Sequence, residues 1–206
     1  MSDFDQKAAE WDRNPMHWER SEAIAKEIIS LIPLKKEMTA LEFGAGTGIT
    51  SFLLKEYLRE ITLMDNSSEM IKVINEKISA TGAKNLKAVN FDLEHTDFVS
   101  EKFDLIFTQM VLHHISSTED ILDKFRNMIK PGGYLALADL CKEDGSFHGD
   151  GFTGHRGFDT QNLSELLKKK NFTVISCEKC FVLRKETANG EIKNFDVFLL
   201  IGQKGS

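Results

Sequence analysis

The sequence predicts an α/β fold, a mostly parallel sheet closed by an antiparallel hairpin. Three observations carry this. Short apolar runs alternate with amphipathic stretches from about residue 38 to residue 140, the pattern of successive βαβ units. The first of these runs leads into LEFGAGTG, Leu41 to Gly48, with glycine at every second position. A chain uses glycine where the backbone turns sharply or lets a ligand come close. Near the C-terminus, two long strand-like stretches flank Asn189-Gly190, a hairpin turn signal.

Each element follows from local pattern. SEAIAKEIISLI (21–32) places Ile24, Ile28, Leu31 and Ile32 on one helical face. Ahead of it lies FDQKAAEWDRNPMHW (4–18), broken at Asn14-Pro15 because the residue before proline avoids the helical region. MTALEF (38–43) is the first strand, and ITSFLLKEYLRE (49–60) carries helical spacing. ITLM (61–64) is the second strand, followed by Asn66 and Glu69 in the spacing of a capping box. The next helix holds Met70, Ile71, Ile74 and Ile78 and stops at Gly82. LKAVNF (86–91) and FDLIFTQ (103–109) are the third and fourth strands. Ser117 or Thr118 caps a helix through Ile129, PGG (131–133) ends it, and YLALADL (134–140) is the fifth strand. The hairpin pairs 172–185 with 195–204.

The totals narrow the function. The 206 residues suit one domain with a real core, at 41% hydrophobic and 28% charged. Net charge is −6 with no basic stripe, which argues against a long nucleic acid as partner. The opening MSDFDQKAAEWD is polar and acidic, unlike a secretory signal, and no apolar run reaches membrane-spanning length. Three cysteines do not form a disulfide framework. A cytoplasmic protein is expected.

The glycines do not fit a phosphate cradle. The dinucleotide fingerprint wants its third glycine where Ile49 stands, and no Gly-Lys-Ser/Thr follows for a P-loop. The predicted strand ends are acidic instead, at Glu42, Asp65, Asp92 and Asp139. Ligands of an open α/β sheet bind outside the carboxyl ends of its strands. An acidic rim repels a pyrophosphate and suits a cation and hydroxyl donors.

LEFGAGTG, LMDNSSEMI, NFDLE, FDLIFTQMVLHHI and IKPGGYLALAD follow one another in order over roughly residues 38 to 140. In that order and spacing the chain strongly resembles the class I S-adenosylmethionine-dependent methyltransferases of small-molecule type. The N-terminal FDQKAAEWD is similar to the opening of small-molecule members. The resemblance implies a Rossmann-like, doubly wound, seven-stranded sheet spanning 1–206 as one domain, with 1–33 as a helical cover. It implies S-adenosylmethionine as cofactor, with S-adenosylhomocysteine as product. Glu42, Gly44, Ala45 and Gly46 would lie along the cofactor. Asp65 would take the ribose hydroxyls, Asp92 and the Leu93 backbone would meet the adenine amino group, Met64, Asn66 and Met110 would sandwich the adenine, and Met70 would also belong to the cofactor site. Gln109 would face the methionine end, although a satisfied polar group at a strand end reads equally well.

Methyl transfer from a sulfonium needs alignment above all, and a base only where the acceptor loses a proton. His113 and His114 follow the fourth strand at the mouth of the expected pocket. The glycine-rich CKEDGSFHGDGFTGHRGF (141–158) adds His148, His155 and Arg156 among phenylalanines, and long irregular loops at a binding edge are often functional. These four histidines are the catalytic candidates. The loop histidines match no zinc spacing, and Cys177 and Cys180 sit at i and i+3 of a strand, facing opposite ways. No metal is expected. The reading is methyl transfer to a small molecule, with a macromolecular acceptor or a silent cofactor-binding module as alternatives.

Overall fold

A computed structural model describes residues 3–99 and 101–206, with side chains from residue 5 onward. Seven strands form one sheet in the order β3-β2-β1-β4-β5-β7-β6. They are β1 (Thr39–Phe43), β2 (Glu60–Asp65), β3 (Leu86–Asn90), β4 (Phe103–Gln109), β5 (Ile129–Leu140), β6 (Phe172–Glu186) and β7 (Ile192–Lys204). β1 to β5 pair in parallel, and β7 runs antiparallel between β5 and β6. This is the Rossmann-like methyltransferase arrangement that the sequence implied.

The α-helices of the described residues are α1 (Asp3–Lys7), α2 (Pro15–Leu31), α3 (Ile49–Leu54), α4 (Ser68–Thr81), α5 (Thr118–Met128) and α6 (Thr160–Lys169). The strand period of two sorts the core. Ala40, Leu105 and Phe107 pack with Ile24 and Ile28 of α2, Leu54 of α3 and Ile74 of α4. Leu41, Phe43 and Ile106 pack on the other side with Phe125 of α5 and Leu163 and Leu167 of α6. Every residue of β1 is buried, as a strand covered on both faces must be. Among the described residues, no helix is long and apolar enough to cross a membrane.

Several boundaries differ from expectation for local reasons. The cap of α4 is Ser67, whose hydroxyl accepts from the Met70 N–H at 3.2 Å; Asn66 lies one residue too early. α3 ends at Leu54 and continues as a 3₁₀ turn, Lys55–Tyr57. β5 starts at Ile129 and takes Pro131-Gly132-Gly133 into the strand, with a register shift against β4 between Phe103 and Leu105. α6 was unforeseen. Asp159 caps it, accepting from Asn162 N–H at 3.0 Å, and its apolar face has only Leu163, Leu166 and Leu167 to mark it.

The connections run outward in opposite directions from β1 and β4, which lie side by side. That reversal leaves a crevice beyond their carboxyl ends, the usual ligand position of such sheets.

Candidate active site

The glycine turn fills this crevice edge. Gly44, Gly46 and Gly48 all have positive φ, at 65°, 55° and 79°, a region closed to most other residues. Their surroundings separate two tasks. A Cβ on Gly48 would meet Leu63 Cδ2 at 2.5 Å, whereas among the described residues a Cβ on Gly46 would meet nothing nearer than Trp11 Nε1 at 3.9 Å. Gly48 therefore lets α3 close on β2, the packing role that a dinucleotide fold gives to its third glycine. Gly46 leaves its space open. Ala45 anchors the turn by donating to the Met64 carbonyl at 3.0 Å.

Asp65, at the end of β2, accepts from Gly46 N–H at 2.8 Å and from Ser67 N–H at 2.9 Å. Burial nonetheless raises its pKa, against those backbone hydrogen bonds. Glu42 is fully buried in β1. Its Oε2 accepts from Ser51 N–H and Ser51 Oγ at 3.2 and 2.5 Å, while Oε1 has no partner among the described residues. Desolvation pushes Glu42 up to about 8.

The remaining expected contacts divide. Leu93 and Met70 are buried and Asn66 is exposed. Asp92 is bound up locally, accepting from Glu94 N–H at 3.0 Å and lying 2.8 Å from His95 Nδ1. Gln109 donates to Ser21 Oγ at 2.9 Å and Thr50 Oγ1 at 2.6 Å. Its amide thus ties α2 and α3 to the end of β4, the satisfied-polar reading.

Sequence reasoning missed Arg20. It is buried in α2 with Nε unpartnered among the described residues. Burial lowers it to about 10, and the Asp139 carboxylate acts against that fall. The signal was present: Arg20 precedes Ile24 and Ile28 on the apolar stripe, where a cation needs a reason.

Three of the four histidine candidates meet. His113 and His114 sit on a 3₁₀ turn, Leu112–His114, just past β4, and His148 comes from the loop after β5. Ring centroids lie 4.2 Å apart for His113–His114, 5.1 Å for His113–His148 and 5.2 Å for His114–His148. Phe152 stacks on His148 at 3.9 Å. Buried His113 places Nδ1 2.6 Å from Oδ1 of buried Asp139. Desolvation, then neighbouring His113, pushes His114 and His148 down to about 4, so both rings are neutral at neutral pH. His155 stands apart, with Nε2 3.3 Å from Thr118 Oγ1. Cys141, Cys177 and Cys180 are free thiols.

The N-terminal segment lies over the turn. Asp12 accepts from Thr47 Oγ1 at 2.5 Å and from Lys77 Nζ at 2.8 Å, and Asp5 accepts from Ser67 Oγ at 2.5 Å. Trp11 stacks on His17 at 4.2 Å. The Phe4 side chain, part of the expected cover, lies outside the described residues.

Residues 34–197 match the methyltransferase domain family. A methyltransferase of Schizosaccharomyces pombe is 30% identical over 155 residues, 68% of this chain and 55% of its own length. The chain belongs to the class I S-adenosylmethionine-dependent methyltransferases. Wheat (Triticum aestivum) phosphoethanolamine N-methyltransferase is 29% identical over 188 residues, 84% of this chain and 36% of the wheat protein. The methyltransferase thus spans about half, or less, of the length of these two relatives. Its fold matches a crystal structure of an S-adenosylmethionine-dependent methyltransferase from Aquifex aeolicus with TM-score 0.63 and 20% identity, covering 85% of this chain and 88% of that one.

The residues of this methyltransferase fit the family cofactor. An ammonium and a sulfonium ask for acidic acceptors, and Glu42 Oε1 is a buried acceptor without a partner among the described residues. A carboxylate asks for a guanidinium, and Arg20 offers a buried one. The open side of Gly46 lets a ligand approach the backbone.

Proposed function

We propose that this chain transfers a methyl group from S-adenosylmethionine to a small molecule held beside the histidine cluster. The observation that carries this reading is the acceptor-side wall, where three imidazoles and Phe152 pack ring against ring at the ends of β4 and β5. Such a surface suits a compact acceptor and offers no track for a polymer. The phosphoethanolamine N-methyltransferase relative supports a small acceptor, as does the net charge of −6.

When bound, S-adenosylmethionine supplies a methyl group on a good leaving group. The protein's share is alignment. Asp65 and the Gly46 turn hold the ribose side, and Glu42, protonated in the free protein, ionises to accept from the ammonium. Arg20 takes the carboxylate and is itself balanced by Asp139. His113 keeps its Nδ1–H on Asp139, so its Nε2 lone pair is presented to the acceptor side. The described N-terminal segment lies over the turn through Asp12, bonded to Thr47 and Lys77, where it would exclude water.

The test is to incubate the protein with methyl-labelled S-adenosylmethionine and a cell extract resolved into small molecules, protein and RNA. Label entering the small-molecule fraction is expected. Label confined to protein or RNA overturns the reading.

A further inference from the structure

We propose that His113, His114 and His148 form a three-imidazole site for a divalent transition metal such as zinc. One ring nitrogen from each lies within 4.8 Å of the other two. Three nitrogen donors with one position left open is the pattern of reactive rather than structural zinc sites, and imidazole suits zinc, copper, iron and nickel. The metal was not expected from sequence because no zinc spacing joins a His-His pair after β4 to a single histidine after β5. The fold brings them together.

The second observation is the support behind His113. Its Nδ1 is held by Asp139 Oδ1 at 2.6 Å, and both side chains are buried. Asp139 is itself fixed, accepting from His113 N–H at 3.3 Å and Leu140 N–H at 2.7 Å. A carboxylate behind a histidine sets the tautomer and aims the other nitrogen, the recurrent outer shell of metal-bound imidazoles. Here it leaves Nε2 as the donor. Phe152 braces His148 from one side, stacked at 3.9 Å and 18°.

Bond lengths of about 2.0–2.1 Å in a tetrahedron require nitrogens roughly 3.4 Å apart, so the cluster must contract from its present spread. His148 can supply that movement. It is exposed, and its loop carries Gly145, Gly149 and Gly151, all at positive φ. Lys185, whose charge acts on His148, is engaged by Phe147, donating to its carbonyl at 2.5 Å and lying over its ring.

With a metal bound, the three lone pairs are occupied, and the histidines position an acceptor instead of taking its proton. The open position would receive a thiolate, hydroxyl or carboxylate of that acceptor. This last step rests on the proposed function, whereas the metal site does not.

Cobalt(II) titration of tag-free, chelator-stripped protein tests the site without reference to turnover. One equivalent of saturable Co²⁺ is expected, with the visible bands of four-coordinate cobalt and displacement by Zn²⁺. His148→Ala and His114→Ala should each weaken binding at least about tenfold while still unfolding cooperatively, and His95→Ala should bind as wild type. No saturable binding in the micromolar range, or binding unchanged in both variants, overturns the site. If cobalt binds as predicted but no small molecule is labelled, the metal site stands and the acceptor reading fails.

Discussion

The backbone N–H of Gly46 donates to Asp65 Oδ2 at 2.8 Å, so one carboxylate staples the glycine turn to the end of β2. Its other oxygen holds Ser67, the cap of α4. A single side chain therefore organises both helix starts that border the crevice.

Asp65→Asn removes the charge and turns one of the two acceptor oxygens into an amide donor, so one of the bonds to Gly46 N–H and Ser67 N–H is lost as well. Affinity for S-adenosylhomocysteine should fall roughly ten- to a hundredfold, about 1.5–3 kcal/mol. Asp65→Ala also orphans two backbone N–H groups and should lose a further 1–3 kcal/mol or so of stability. Calorimetry and denaturant unfolding separate the two effects. An unchanged dissociation constant in folded Asp65→Asn would remove the residue from the site.

Gly46 and Gly48 should respond differently to alanine. Both substitutions strain a positive φ, costing about 1–2 kcal/mol. Gly48→Ala adds a clash with Leu63 at 2.5 Å and should be the less stable protein. Gly46→Ala should remain folded but lose cofactor affinity. Equal melting temperatures would contradict this division of tasks.

Glu42 predicts a pH dependence. Burial raises its folded pKa to about 8, so the folded chain holds a proton that the unfolded chain releases at ordinary carboxylate pH. Stability from this group is complete below the unfolded pKa and is lost as pH rises towards about 8. Urea midpoints should therefore fall more for wild type than for Glu42→Gln between about pH 5 and about pH 8. Parallel profiles would show that Glu42 is ionised in the folded protein.

Asp12 joins the N-terminal segment to Thr47 and Lys77 and would be the latch of the proposed cover. Asp12→Ala should speed proteolysis within the first twenty residues, and S-adenosylhomocysteine should slow it in wild type. Cleavage equally slow in both proteins, with and without ligand, would mark the segment as fixed structure.

Much of the fold was legible because buried parallel strands and amphipathic helices write strong periodic patterns. Leu41 and Phe43 against Ala40 is one such pattern, and Ile24 with Ile28 another. α6 was missed because Leu163 and Leu167 form a face of barely two turns after a long loop. In the site, Glu42, Gly46 and Asp65 were legible as neighbours because motif order places them along one sheet edge, and the structure does bring Gly46 and Asp65 into contact there. Gln109 has protein partners that sequence separation concealed, Ser21 and Thr50, whereas the partner of Asp92 is His95, only three residues on across a local turn. The His113–His114–His148 cluster was illegible as a unit, since only the β4–β5 pairing brings the two loops together.

Titration calorimetry with S-adenosylhomocysteine and NAD tests the cofactor assignment most directly. Saturable micromolar binding of S-adenosylhomocysteine, weakened in Asp65→Asn, with no heat from NAD is expected. Micromolar NAD binding with no response to S-adenosylhomocysteine would contradict it.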